Sequence, residues 1–148
     1  MDQAFYYMID KGIATSKTYP ERSVNECKYV PNMKFTGFSR CARVPTGNHS
    51  KLVSAITQQP VSVALDFSQD MRFYAGGIFD GACSTKLTHG MLLTGYGGKE
   101  HGTHYWKLRN TLGSTWGSKG YIDMLREDMD GPGKCGIQVW PSVPQGIV

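Results

Sequence analysis

Leu87-Thr88-His89-Gly90-Met91-Leu92-Leu93-Thr94-Gly95-Tyr96 reads as one strongly apolar β-strand, and Thr103-His104-Tyr105-Trp106-Lys107-Leu108-Arg109 reads as its return. Gly97, Gly98 and Gly102 lie between them and suit a hairpin tip. In the returning segment Tyr105, Lys107 and Arg109 alternate against Trp106 and Leu108, the period of two expected for a strand with one buried face. Pairing the two strands has a chemical consequence. His89 opens the first and Asn110 follows the second, so the hairpin brings an imidazole and a carboxamide together at one edge of a sheet. A carboxamide beside an imidazole fixes its tautomer, and an imidazole so held can accept a proton from a nucleophile and return it to a leaving group.

Outward from this hairpin the pattern stays mostly β. Ala4, Phe5, Met8 and Ile9 recur at helical spacing after Asp2, which predicts a short amphipathic helix ending at Gly12. Tyr19-Pro20 reads as extended loop, because the residue before proline is pushed out of the helical region. Residues 28–38 read as a strand and turn. Asn48 or Ser50 can cap a helix carrying Leu52, Val53, Ala55 and Ile56, which Pro60 stops. Val61, Val63 and Leu65 then alternate with Ser62, Ala64 and Asp66 as a strand, and an aromatic turn with Phe73 and Tyr74 leads to Gly76, Gly77 and Gly81. Residues 120–125 supply a further strand. The predicted fold class is α+β, an antiparallel sheet with a few short helices packed on it.

The chain has 148 residues, 40% apolar and 19% charged, an ordinary composition for one globular domain or one domain plus a fragment. Its net charge of +4 is spread along the sequence without a basic block, which argues against nucleic acid as a partner. No run approaches the roughly 20 apolar residues needed to cross a bilayer, so no membrane association is expected. The N-terminal residues as written have no basic leader and no small-residue cleavage site, and read as no export signal. Cys27, Cys41, Cys83 and Cys135 match neither zinc-ribbon nor C-x-x-C spacing, so structural use is expected. A disulfide would imply an oxidising compartment, at odds with the absent leader unless the chain is a piece of something longer. His101-Gly102-Thr103-His104 lacks a second pair of ligands and reads as exposed turn, and His49 as a pre-helix loop residue, so neither a metal nor a cofactor is expected.

Six blocks in order resemble the papain-like cysteine proteases: residues 60–65, 73–79, the His89 segment with Gly95-Tyr96-Gly97, Asn110 to Gly117, Gly120-Tyr121-Ile122, and Cys135-Gly136-Ile137. Met1-Asp2-Gln3-Ala4-Phe5 is similar to an internal segment of that family, following the glycine-rich turn of its left-hand domain. The resemblance implies that residues 1–33 are a remnant of the helical left domain and 34–148 the β-rich right domain, a half-barrel. It implies His89 and Asn110 as two members of a catalytic triad. The nucleophile's motif, C-G-[SA]-C-[WY], belongs about 130 to 150 residues before the histidine. Only 88 residues precede His89 and none contains it. The glutamine that donates to the oxyanion belongs to the same absent part, and losing one such donor costs about 2.7 to 4 kcal/mol. The isolated chain is therefore expected to be inactive, a truncated or incomplete cysteine-type endopeptidase. The alternative is a non-catalytic binding module.

The resemblance further implies a disulfide between Cys83 and Cys135, worth about 2 to 4 kcal/mol. Cys27 would lose its usual partner, which leaves either a Cys27–Cys41 bridge or two free thiols. Ala64, Leu87, Thr88, Trp116 and Trp140 would line the substrate site, with Trp140 narrowing the main specificity pocket. Two departures stand out. Leu112 replaces the tryptophan that covers the Asn–His hydrogen bond, and Thr88 replaces a frequent aspartate, removing a negative charge. Implied partners are a peptide or protein substrate once a left domain is supplied, a protease inhibitor, or a partner protease. The family is typically secreted, lysosomal or vacuolar.

Overall fold

The computed structural model of the chain describes residues 1–19, 37–98 and 102–146. The expected strand and turn at 28–38, the expected boundary between 33 and 34, Cys27 and His101 lie wholly or mostly outside them. The chain divides into two compact units, Met1–Ala42 with Pro144–Val148, and Arg43–Val143.

In the first unit α1 (Asp2–Lys11) forms where the helical spacing predicts it. Asp2 lies in its first turn and Lys11 in its last, both favourable to the helix dipole. Gly12 ends it at φ 77°, donating its N–H to Met8 O, a backbone conformation that glycine adopts without a Cβ clash. Phe5 is the buried residue of α1 and meets the Phe38 ring edge-on, 5.7 Å between centroids. The strand β1 (Arg40–Arg43) follows.

The second unit holds α2 (His49–Ile56), β2 (Val61–Leu65), α3 (Gln69–Arg72), β3 (Ile78–Phe79), β4 (His89–Gly98), β5 (His104–Arg109), β6 (Tyr121–Leu125) and a 3-10 turn at Lys134–Gly136. The last strand, β7 (Ser142–Gln145), begins here and pairs with β2 through Ser142 and Ser62. Asn48 rather than Ser50 caps α2, its side chain accepting from Lys51 N at 2.9 Å. Strands β2, β4, β5, β6 and β3 lie side by side in that order. All pairs are antiparallel except β3 with β6, which run parallel, so the sheet is mixed rather than wholly antiparallel. The α+β class stands.

Five of the described elements are absent from the sequence reading: β1, α3, β3, the 3-10 turn and β7. Each has four residues or fewer, too short for a periodic pattern to emerge. Ser68 caps α3 by accepting from Met71 N, and Met71 is fully buried.

The core is one face of this sheet. Val61, Val63 and Leu65 of β2 stand opposite Leu93, Met91 and His89 of β4, and the apolar members of this face are all buried. Trp106 and Leu108 of β5, and Ile122 and Met124 of β6, continue the layer. Leu93 pairs with Leu108, but Gly95 pairs with Lys107, so one residue is inserted at Thr94. That bulge shifts the phase of β4, so Tyr96 rather than Gly95 stands opposite Trp106, their rings 6.1 Å apart. Replacing Leu108, fully buried at the centre of this layer, with alanine is expected to destabilise the fold by about 2 to 5 kcal/mol, measured as a shift in the urea unfolding midpoint.

Candidate active site

His89 and Asn110 occupy the same alternation as the core. Residues 89, 91 and 93 of β4 share a face, as do 106, 108 and 110 along β5 and its end. Where the apolar residues give out, these two polar ones take the next positions on the buried side. His89 Nε2 lies 2.8 Å from Asn110 Oδ1. Asn110 is 6% exposed, and its backbone N–H donates to Gly120 O at 2.9 Å.

The tautomer follows from the neighbours. Thr111 N lies 2.8 Å from the same Asn110 oxygen. A backbone N–H can only donate, so the atom facing it is the carbonyl oxygen and the amide cannot be flipped. That oxygen therefore accepts from His89 Nε2–H as well. Nδ1 is left as the nitrogen that can take a proton. The amide nitrogen of Asn110 is buried with no hydrogen-bond partner among the described residues.

Aromatic rings flank the imidazole. Phe67 lies 4.9 Å from His89, tilted by 41°. Trp116 lies 6.0 Å from Phe67 and 5.9 Å from Tyr74, and its indole N–H donates to Arg72 O at 3.2 Å. Tyr74 donates to Gly77 O at 2.6 Å and accepts from Asp123 N. Burial pushes its phenol above the usual range, helped by the Asp123 carboxylate, against the hydrogen bond from the Asp123 backbone. Gly117, at φ 58°, lets the loop after Trp116 pass close to β6, since a Cβ there would sit 2.6 Å from Tyr121 O.

Asp66 ties together the segments that lead into His89. Its N–H donates to Cys135 O, and one carboxylate oxygen accepts from Ser84 N at 2.6 Å. The other lies 3.5 Å from Thr88 Oγ1, a long contact, while that hydroxyl accepts from Phe67 N at 3.0 Å. The hydrogen bond from the Ser84 backbone, then that from its side chain, holds the Asp66 carboxyl below its ordinary value against a small desolvation effect. Asp66, just past the end of β2, thus places a carboxylate beside Thr88. Cys83 and Cys135 form a disulfide with Cα atoms 5.2 Å apart, fastening the same loop. Cys41 has no disulfide partner among the described residues.

The other expected site residues are placed as follows. Ala64 is half-buried on the face of β2 away from the core, opposite Gly90. Leu87 is half-buried beside Gly136, where an added Cβ would come within 3.0 Å of its methyl. Thr88 is exposed. Trp140 is 39% exposed with the Arg43 guanidinium 3.9 Å from its ring centre. Leu112 is 50% exposed. Phe67, Asp66 and Thr111 were not singled out from the sequence. The signal for Phe67 was the β2 alternation itself, which carries past Leu65 onto the side that holds His89.

His104 differs from its reading as an exposed turn residue. It opens β5 and pairs through Nδ1 with the Asp128 carboxylate, which Arg126 also holds. Burial alone would raise the Asp128 carboxyl, but these hydrogen bonds and charges outweigh it and hold it below the usual value. His49 Nε2 lies 3.2 Å from the same carboxylate.

With this geometry in view, comparison with known proteins gives a consistent answer. The papain family cysteine protease pattern matches residues 1–145. The chain belongs to the papain family of cysteine proteases. It is 40% identical to the senescence-specific cysteine protease SAG39 of Oryza sativa over 97% of its own length and 43% of that protein's. It is 40% identical to cysteine proteinase RD21A of Arabidopsis thaliana, covering 97% of this chain and 32% of the relative. Among solved structures, the bromelain protease of Ananas comosus in complex with the E64 inhibitor superposes with a TM-score of 0.90 at 33% identity, over 98% of this chain and 68% of that one. Digestive procathepsin L 3 of Tenebrio molitor gives 0.87 at 36% identity, over 97% of this chain and 47% of that one. The chain thus spans less than half the length of the curated relatives it matches.

The hydrogen bond from the Ser84 backbone holds the Asp66 carboxyl below its ordinary value in the fold. Its contribution is present above the unfolded value and is lost as pH falls through the folded one. Urea unfolding followed from about pH 5 down to about pH 2 is expected to show this loss, and Asp66→Asn is expected to flatten that part of the profile.

Proposed function

We propose that this chain is the histidine- and asparagine-bearing part of a papain-type cysteine endopeptidase. In this reading residues 1–33 belong to the left-hand domain and residues 34–148 form the right-hand one. The observation that carries it is the 2.8 Å contact between His89 Nε2 and Asn110 Oδ1, its polarity fixed by Thr111 N–H. Only Nδ1 is then available to a thiol.

The chemistry follows from that polarity. Nδ1 of His89 takes the proton of a cysteine thiol, and the thiolate attacks the scissile carbonyl. The imidazolium then returns the proton to the departing amine, while Asn110 holds the ring in place through both transfers. The thiol and the oxyanion glutamine come from a segment outside these 148 residues. Ala64, Leu87, Thr88, Trp116 and Trp140 contact the substrate, and Trp140, stacked against Arg43, narrows the main specificity pocket. These 148 residues alone cleave nothing. The Cys83–Cys135 bridge supports an oxidising compartment, secreted, lysosomal or vacuolar.

A second reading is a non-catalytic module that holds a peptide, an inhibitor or a partner protease. What favours it is an open, largely apolar groove in the first unit, lined by Ala4, Tyr7, Met8, Ile13 and Tyr19, a surface suited to a partner.

The two readings separate in one experiment. The chain is assayed for peptide cleavage alone and after joining to a left-hand segment that carries the nucleophilic cysteine. Cleavage is expected only in the joined form, and His89→Ala is expected to lower kcat by about 100-fold or more. Cleavage by the 148 residues alone, or a joined form indifferent to His89→Ala, contradicts the peptidase reading.

A further inference from the structure

Phe67 has a second neighbour. Its ring faces the His89 imidazole at 4.9 Å, and the guanidinium carbon of Arg72 lies 5.8 Å from its centre. Arg72 ends α3 and is exposed, and it forms no ion pair among the described residues. Its backbone is nonetheless held in place. Arg72 O accepts from the Trp116 indole, Phe73 N donates to Asp70 O, and Met71 beside it is fully buried. Next to Arg72, Phe73 is 84% exposed.

A positive charge on a fixed backbone therefore sits one aromatic ring away from the histidine that handles the proton. Three other cations of this unit are already answered. Lys134 pairs with Asp80, Lys107 with Asp123, and Arg126 with Asp128. Arg72 is exposed, and a guanidinium's N–H fork matches a carboxylate in two-point geometry. The two separations together keep the guanidinium carbon within about 11 Å of the imidazole centre, the span of about three extended residues.

Resting on the peptidase reading above, we propose that Arg72 is a specificity-determining residue that selects substrates with an aspartate or glutamate at a position flanking the scissile bond. The guanidinium pairs with the substrate carboxylate over the Phe67 ring. It takes no part in proton transfer. The expected preference for an acidic residue over its amide is about fivefold, the size of a solvent-exposed ion pair, and raising the salt concentration shrinks it.

The test uses the joined, cysteine-bearing form and peptides that differ only in Asp against Asn, or Glu against Gln, on either side of one cleavable bond. The ratio of kcat/KM for acid over amide is expected to exceed one at one flanking position. It falls to about one in Arg72→Ala, and Arg72→Glu turns it toward lysine-containing peptides. Thermal melting of each variant checks that the fold is retained. A ratio of one in the parent protein, or a preference unchanged in Arg72→Ala, overturns the inference while His89-dependent cleavage of the amide peptides leaves the peptidase reading standing. Failure to cleave any of the peptides instead overturns the peptidase reading, and the role of Arg72 with it.

Discussion

A polar pair at the end of a buried sheet face is the constraint on which the site depends. His89 and Asn110 follow Met91 and Leu108 in the alternation of two antiparallel strands, so both side chains are directed inward where the core runs out. Turning the phase of either strand by one residue would send one of them to the other face. The imidazole–carboxamide bond is therefore secured by the same packing that stabilises the sheet. The bulge at Thr94 lies beyond Met91 and Leu93, so it changes the phase of β4 only on the side away from His89.

Position alone does not make an imidazole useful; its protons must also be arranged. One backbone N–H, from Thr111, settles which end of the Asn110 amide faces the ring, and that settles which ring nitrogen is left for a nucleophile. The loop arriving at His89 is fastened by Asp66 and by the Cys83–Cys135 bridge. The aromatic series Tyr74, Trp116 and Phe67 leads up to one side of the ring. Leu112, two residues after Asn110, is half exposed.

Long and periodic elements were readable in advance. Helix α1 with its Gly12 stop, α2 with an Asn48 cap, β2, and the β4–β5 hairpin all carry their periodicity and end signals in the chain. Short elements were not. A four-residue helix such as α3, or a two-residue parallel strand such as β3, is stabilised by what it packs against, and Met71 and Phe79 are buried by partners distant in sequence. His104 was misread for the same reason, since its partner Asp128 lies 24 residues away.

The sequence by itself determined the strand phases, the family membership through six ordered motifs, and the identity of the histidine and asparagine, because these are local patterns of residue type. Only the tertiary structure decided the direction of the Asn110 amide, the tilted contact of Phe67 with His89, the carboxylate of Asp66 near Thr88, and the approach of the Arg72 guanidinium to Phe67. Each of these joins groups brought close by strand pairing and loop return, and depends on distances of a few ångströms that no spacing along the chain encodes.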